Sequence, residues 1–123
     1  MLKFRAWFDS EMYDKPVVYD GEFYLDWREF ENGETHNGAV LMQFTGLKDK
    51  NGKEIFEGDI VKYKSGCNTY TEEVAYDKNF AGFGVKDAKA DIIFTFWELA
   101  EDIDLISLEV VGNIYENPEL LGE

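Results

Sequence analysis

The stretch VLMQFTGLKDKNGKEIFEGDIVKYK, Val40–Lys64, decides the fold class. Val40 to Thr45 is apolar enough for a strand. Lys48 to Lys53 reads as a charged turn, with Asn51-Gly52 supplying positive-φ positions. Ile55-Phe56 then leads into Glu57-Gly58-Asp59, a tight turn that launches the β-rich run Ile60 to Lys64. Apolar residues alternate or run in short blocks between turn signals, as strands do.

The same grammar continues downstream. Ser65 to Asn68 is a turn, and Thr69 to Tyr76 and Ala81 to Val85 are strands separated by Asp77 to Phe80. Phe80, Phe83, Gly82 and Gly84 imply close packing or a bulge. Asp91 to Phe96 is strand-like. Trp97 to Ile103 fits one or two turns of helix, with Thr95 and Glu98 at capping-box spacing. Leu105 to Ile114 returns to strand, and Asn117-Pro118 ends regular structure.

Upstream, Leu2, Phe4 and Ala6 alternate with Lys3 and Arg5, which predicts one buried face. Val17 to Tyr19 and Phe23 to Trp27 flank the hairpin signal Asp20-Gly21. Glu31 to Gly38, with two Asn-Gly pairs and little to bury, reads as an exposed loop. Seven to nine short strands with at most one or two short helices make the chain mainly β.

Composition bounds the rest. The 123 residues suffice for one ordinary domain or two very small ones, and 45% apolar with 16% aromatic residues suffices for a core. Twelve basic against 26 acidic residues give a net charge of −14, which disfavours phosphate binding by the surface as a whole. The charge is uneven: residues 1–40 sum to −5, 41–89 to zero and 90–123 to −9, with no base after Lys89. That acidic end reads as a solvated face, or as a surface that meets a basic partner or imitates nucleic-acid phosphate. A single cysteine forms no internal disulfide. No apolar run exceeds Ile92 to Trp97, far short of the ~20 residues of a membrane span. The expectation is a cytoplasmic protein without membrane attachment.

Side chains for chemistry are scarce. His36 stands in a polar loop with no partner to position it as a base. Cys67 lies in a turn near Lys62 and Lys64, but a catalytic thiol also needs a base, and the sole imidazole is 31 residues away. Glu98, Glu101, Asp102 and Asp104 could share a helical face and attract a cation, yet no second motif completes a ligand set. Gly82-Phe-Gly84 lacks the helix and later glycine of a dinucleotide loop. No catalytic, cofactor-binding or metal residues are assigned, and no enzyme is expected. The ring-rich first thirty residues suit core or interface packing better than base stacking, because their charge is negative.

Three segments together resemble the YopX family of phage and prophage proteins: LKFRAW (Leu2–Trp7) with Met12-Tyr13, LMQFTGLKDKNGKEIFEGDIVK (Leu41–Lys62), and EVVGNIYENPELL (Glu109–Leu121). The resemblance implies a small, mostly β protein of mobile elements and brings no catalytic residues with it. In these segments Thr45-Gly46 and Asn51-Gly52 read as turn chemistry. The Glu-Gly-Asp-Ile-Val piece is also similar to the opening of SH3-like barrels. That likeness implies a barrel over about residues 55–115, with an N-terminal β-rich extension. The expected division is an aromatic-rich subdomain over 1–45 and an SH3-like subdomain with an acidic end over 46–123.

The expected role is a non-enzymatic protein-binding or adaptor module that meets a host or phage protein. Trp7, Phe8, Tyr24, Trp27 and Trp97 are the candidate partner-binding residues. Self-association as a homo-oligomer would hide the same apolar surface. Two alternatives are an acidic DNA mimic built on 90–123, and a nucleic-acid module using the lysines of 48–89.

Overall fold

The computed structural model of the chain describes residues 3–20, 22–33, 39–79, 81–87, 92–96 and 104–121. The chain divides into two compact units, Met1–Phe44 and Thr45–Glu123.

In the first unit, β1 (Phe4–Phe8) pairs antiparallel with β2 (Glu11–Tyr13). Its connecting residues Asp9 and Ser10 both take positive φ, 50° and 64°, as a two-residue type I′ hairpin demands. Asp-Ser lacks the glycine that usually marks such a turn, so the sequence did not announce it. A second hairpin joins β3 (Val17–Tyr19) to β4 (Glu22–Tyr24). It turns at Asp20, whose φ is 51°, where the sequence expected it.

The expected strand to Trp27 ends earlier. Leu25 is fully buried, and Asp26 stands at the N-cap of α1 (Trp27–Asn32) with Glu29 three residues on. That spacing favours a helix start over a strand. β1 also pairs with the first half of β5 (Val40–Lys48), Ala6 opposite Leu41 and Arg5 opposite Met42. Arg5 departs from the expected outward face. It is buried, and its Nη2 donates to Met42 Sδ at 3.7 Å.

In the second unit, the end of β5 runs beside β6 (Glu54–Phe56). Thr45-Gly46 is a kink within β5, not a turn. Gly46 has a φ of 91°, and Thr45 Oγ1 donates to the Ile55 carbonyl while accepting the Leu47 N–H. The turn after β5 needs positive φ only at Gly52, not at Asn51. The Gly52 N–H donates to the Asp49 carbonyl, a β-turn with Asp at its first position and Gly at its fourth, the residues that turn prefers.

Five strands then form a curled half-barrel sheet: β7 (Asp59–Ser65), β8 (Asn68–Asp77), β9 (Gly82–Asp87), β10 (Ile92–Thr95) and β11 (Asp104–Asn113). Their order is β10-β9-β8-β7-β11, every pair antiparallel. The mainly β class therefore stands. Among the described residues no ladder joins β10 to β11, so these strands form a sheet with two edges. The expected helix over 97–103 lies outside the described residues. A 3-10 turn, Pro118–Leu121, starts where regular structure was expected to end, because proline suits a first helical position.

The core lies on one sheet face. Val61, Tyr63, Val74, Val85 and Leu108 project from it, joined by Ile55 and Phe96, with Phe83 and Val110 at the margin. Burying each aliphatic side chain contributes about 1.5–3 kcal/mol. Gly84 lets two strands close. A Cβ there would sit 2.1 Å from the Phe94 carbonyl oxygen of β10, so the close packing expected of the glycines is real at this one.

Candidate functional site

Two polar residues of Val40–Lys64, Asp49 and Asp59, and Asn113 at the end of β11 hold the scaffold together. The Asp49 carboxylate accepts the N–H groups of Asn51 and Lys53 through Oδ1 and that of Val110 through Oδ2, each at 2.9 Å. Burial alone would raise its pKa. The donors Val110, Lys53 and Asn51, with the Lys53 charge, hold it below the usual value. Asp59 Oδ2 accepts the Phe56 N–H at 2.8 Å, closing the tight turn ahead of β7. Asn113 Oδ1 accepts from the Tyr115 and Glu116 N–H groups, and its Nδ2 donates to Glu116 Oε1. Each of these polar side chains satisfies backbone that would otherwise be stranded.

Surface character sorts to the two faces of the five-stranded sheet. On the core face, register places Val74, Val85 and Phe94 in one row and Tyr76 opposite Phe83 in the next. The row ends at the β10 edge with apolar groups in solvent. Phe94 is 40% exposed and Ile92 49%, and on the inner strand β8 Tyr76 is 42% exposed. The Tyr76 and Phe83 rings meet edge-on at 5.0 Å.

Beside this patch, Asp87 lies opposite Ile92, and Glu72 accepts the phenol O–H of Tyr63. Burial raises the Glu72 pKa, the Tyr63 hydrogen bond lowers it and the Asp87 charge raises it again, leaving it above the usual value. Burial and Glu72 also push the Tyr63 phenol upward, so it stays protonated as a donor. Tyr70 stacks on Tyr63 at 5.6 Å.

The opposite face is polar around Lys62 and Lys64. Lys62 and Lys64 point away from the core, in register with Thr71 and Thr69 of β8, and Glu109 of β11 lies across from Lys62. With Lys50 and Ser107 they line an open groove of about 330 Å³. Lys50 Nζ is 3.5 Å from Glu109 Oε1, and Ser107 Oγ accepts the Lys64 N–H at 3.0 Å.

The residues singled out by sequence are scattered. Trp27 is 61% exposed on α1, while Trp7, Phe8 and Tyr24 are half-buried. Trp97, His36, Lys89 and the acidic set Glu98, Glu101 and Asp102 lie outside the described residues, and Asp104 opens β11. Cys67 is exposed in the β7–β8 turn. Among the described residues, no three His, Cys, Asp or Glu side chains are grouped to hold a metal ion. Sequence reading passed over Tyr76, Ile92 and Phe94. Alternation on β8 and β10 was visible, but not that the apolar face runs on past its cover.

Comparisons with known proteins agree with this architecture. The chain is similar over 98% of its length, and 98% of the other's, to the crystal structure of protein EF1440 from Enterococcus faecalis, at 32% identity and a TM-score of 0.60. It shares its fold with protein yopX from Bacillus subtilis at 23% identity and a TM-score of 0.54, with 96% of each chain covered. No curated protein matches. The YopX protein family model matches residues 3–122. The match reaches into both units and takes in the three segments that carried the resemblance from Lys3 onward, and the chain belongs to the YopX family.

Proposed function

We propose that this is a non-enzymatic, cytoplasmic phage or prophage protein whose second unit binds a partner protein through the patch at the β10 edge. The observation that carries this reading is the row Val74–Val85–Phe94, which passes from buried to exposed without changing its apolar character. Isolated exposed apolar residues are ordinary on a protein surface, whereas contiguous ones mark interaction sites. Ile92 and Phe94 follow one another on this face of β10, Phe94 opposite Val85, and Tyr76 meets Phe83 one row further on. Glu72 and Asp87 flank them, and the chain as a whole is at −14, so the complementary partner offers an apolar anchor with a basic rim.

The acid-rich 90–123 segment supports a DNA mimic less well. Glu109 is engaged with Lys50, and Glu116 accepts from Asn113, so both are committed within the fold. Among the described residues no helix is long and apolar enough to cross a membrane.

The test is site-specific photocrosslinking from positions 76 and 94 in the host cell, with position 78 as control. The expected outcome is one stoichiometric protein adduct from the first two positions, lost on Phe94→Asp while the circular dichroism spectrum is retained. Equal adducts from all three positions would reject the patch as the contact.

A further inference from the structure

The lysine groove lies on the other sheet face and asks for a different ligand. Lys62 and Lys64 are two residues apart on β7, so their side chains leave one face about 7 Å apart. Lys50 reaches the same groove from the turn before β6, and Thr69 adds a hydroxyl from the neighbouring strand. Glu109 is the acidic side chain among the described residues that line it, and Lys50 engages it. Among the described side chains neither Lys62 nor Lys64 forms an ion pair, and Asp104 holds the register position opposite Lys64 on β11. Like charges set this close repel, and a small anion between them removes that repulsion while it accepts their hydrogen bonds.

We infer that the groove binds a compact phosphate-bearing anion, held by Lys62 and Lys64 with Lys50 and Thr69 alongside. Size and field select a compact ligand over a polymer. At physiological salt, charges interact over about 8 Å, so a single phosphate in the groove answers mainly to the nearby ammonium groups. A nucleic-acid strand would extend several such lengths, over a protein at −14. Among the described residues the groove has no open ring on which a base could stack: Tyr63 is the aromatic residue lining it, and it is buried, 5% exposed. This inference stands independently of the partner patch.

The test is amide-resolved NMR titration of the full chain with inorganic phosphate, with a nucleoside monophosphate, and with an unphosphorylated single-stranded oligonucleotide. Saturable shifts at 62–64 and 69 with phosphate alone assign free phosphate as the source. Tighter binding of the monophosphate assigns a nucleotide. In either case Lys64→Ala weakens binding about tenfold, the worth of one charge-assisted hydrogen bond, and Lys78→Ala leaves it unchanged. Three results overturn the inference: no saturation with either phosphate ligand, equal weakening by Lys78→Ala, or preference for the unphosphorylated oligonucleotide.

Discussion

The Asp49 carboxylate accepts the Val110 N–H at 2.9 Å, across 61 residues of sequence. With its other oxygen it holds the Asn51–Lys53 turn, and the Lys50 N–H donates to the Leu108 carbonyl beside it. One side chain therefore fastens a turn to an edge strand. Asp49→Ala strands three N–H donors at once. Each stranded group costs about 1–3 kcal/mol when buried, and the site is only partly so, which suggests a total loss of roughly 2–4 kcal/mol. Against a typical stability of about 5–15 kcal/mol that is a large fraction. The expected readout is a lower urea midpoint with an unchanged slope. Because the folded-state pKa is depressed, this stabilisation is present above the ordinary aspartate value. It is lost as pH falls through the folded value.

Glu72 carries the opposite sign. Its folded-state pKa is raised, so its proton-linked stabilisation is complete below the ordinary value of 4.5 and is lost as pH rises through the folded value. Glu72→Gln keeps an acceptor for Tyr63 and removes the titration. The difference in unfolding free energy between parent and variant should be flat below that pH and should fall above it. A flat difference across the whole range, measured by urea melts, would contradict the assignment.

Gly84→Ala places a methyl group where the β10 backbone already is. The expected result is loss of β9–β10 pairing, seen as faster hydrogen exchange at Phe94 and Thr95 while β7 and β8 stay protected. Retained protection at β10 would show that the strands can separate without unpairing.

Ser10 holds a left-handed conformation that costs an L-residue roughly 1–2 kcal/mol. Ser10→Gly relieves that strain but loosens the unfolded chain, so a net gain of up to about 1 kcal/mol is expected. A thermal melt decides it, a rise in Tm being the predicted direction.

Much of this architecture is legible in the residues. Strand positions over Val40–Lys64, the Asp20 hairpin and the close approach at Gly84 all follow from alternation and small residues. What escaped has physical reasons. The Asp9-Ser10 turn puts serine where such a turn usually has glycine, so the pair carries no turn signature. Arg5 reads as a solvent-facing charge until Met42 is placed opposite it, a pairing 37 residues distant. The patch and the groove escaped for the same reason. Phe94 and Val85 or Lys62 and Glu109 become neighbours only through strand register, and local periodicity does not encode register between distant strands.

The strand order also bears on synthesis. β7 to β10 follow one another along the chain and can pair as they leave the ribosome. The other flank of β7 waits for β11, which begins 27 residues after β8 ends (Asp77 to Asp104). Throughout that interval the nascent chain presents an uncovered strand edge beside Lys62 and Lys64. Those two charges protect it from pairing with other chains until its own last strand arrives.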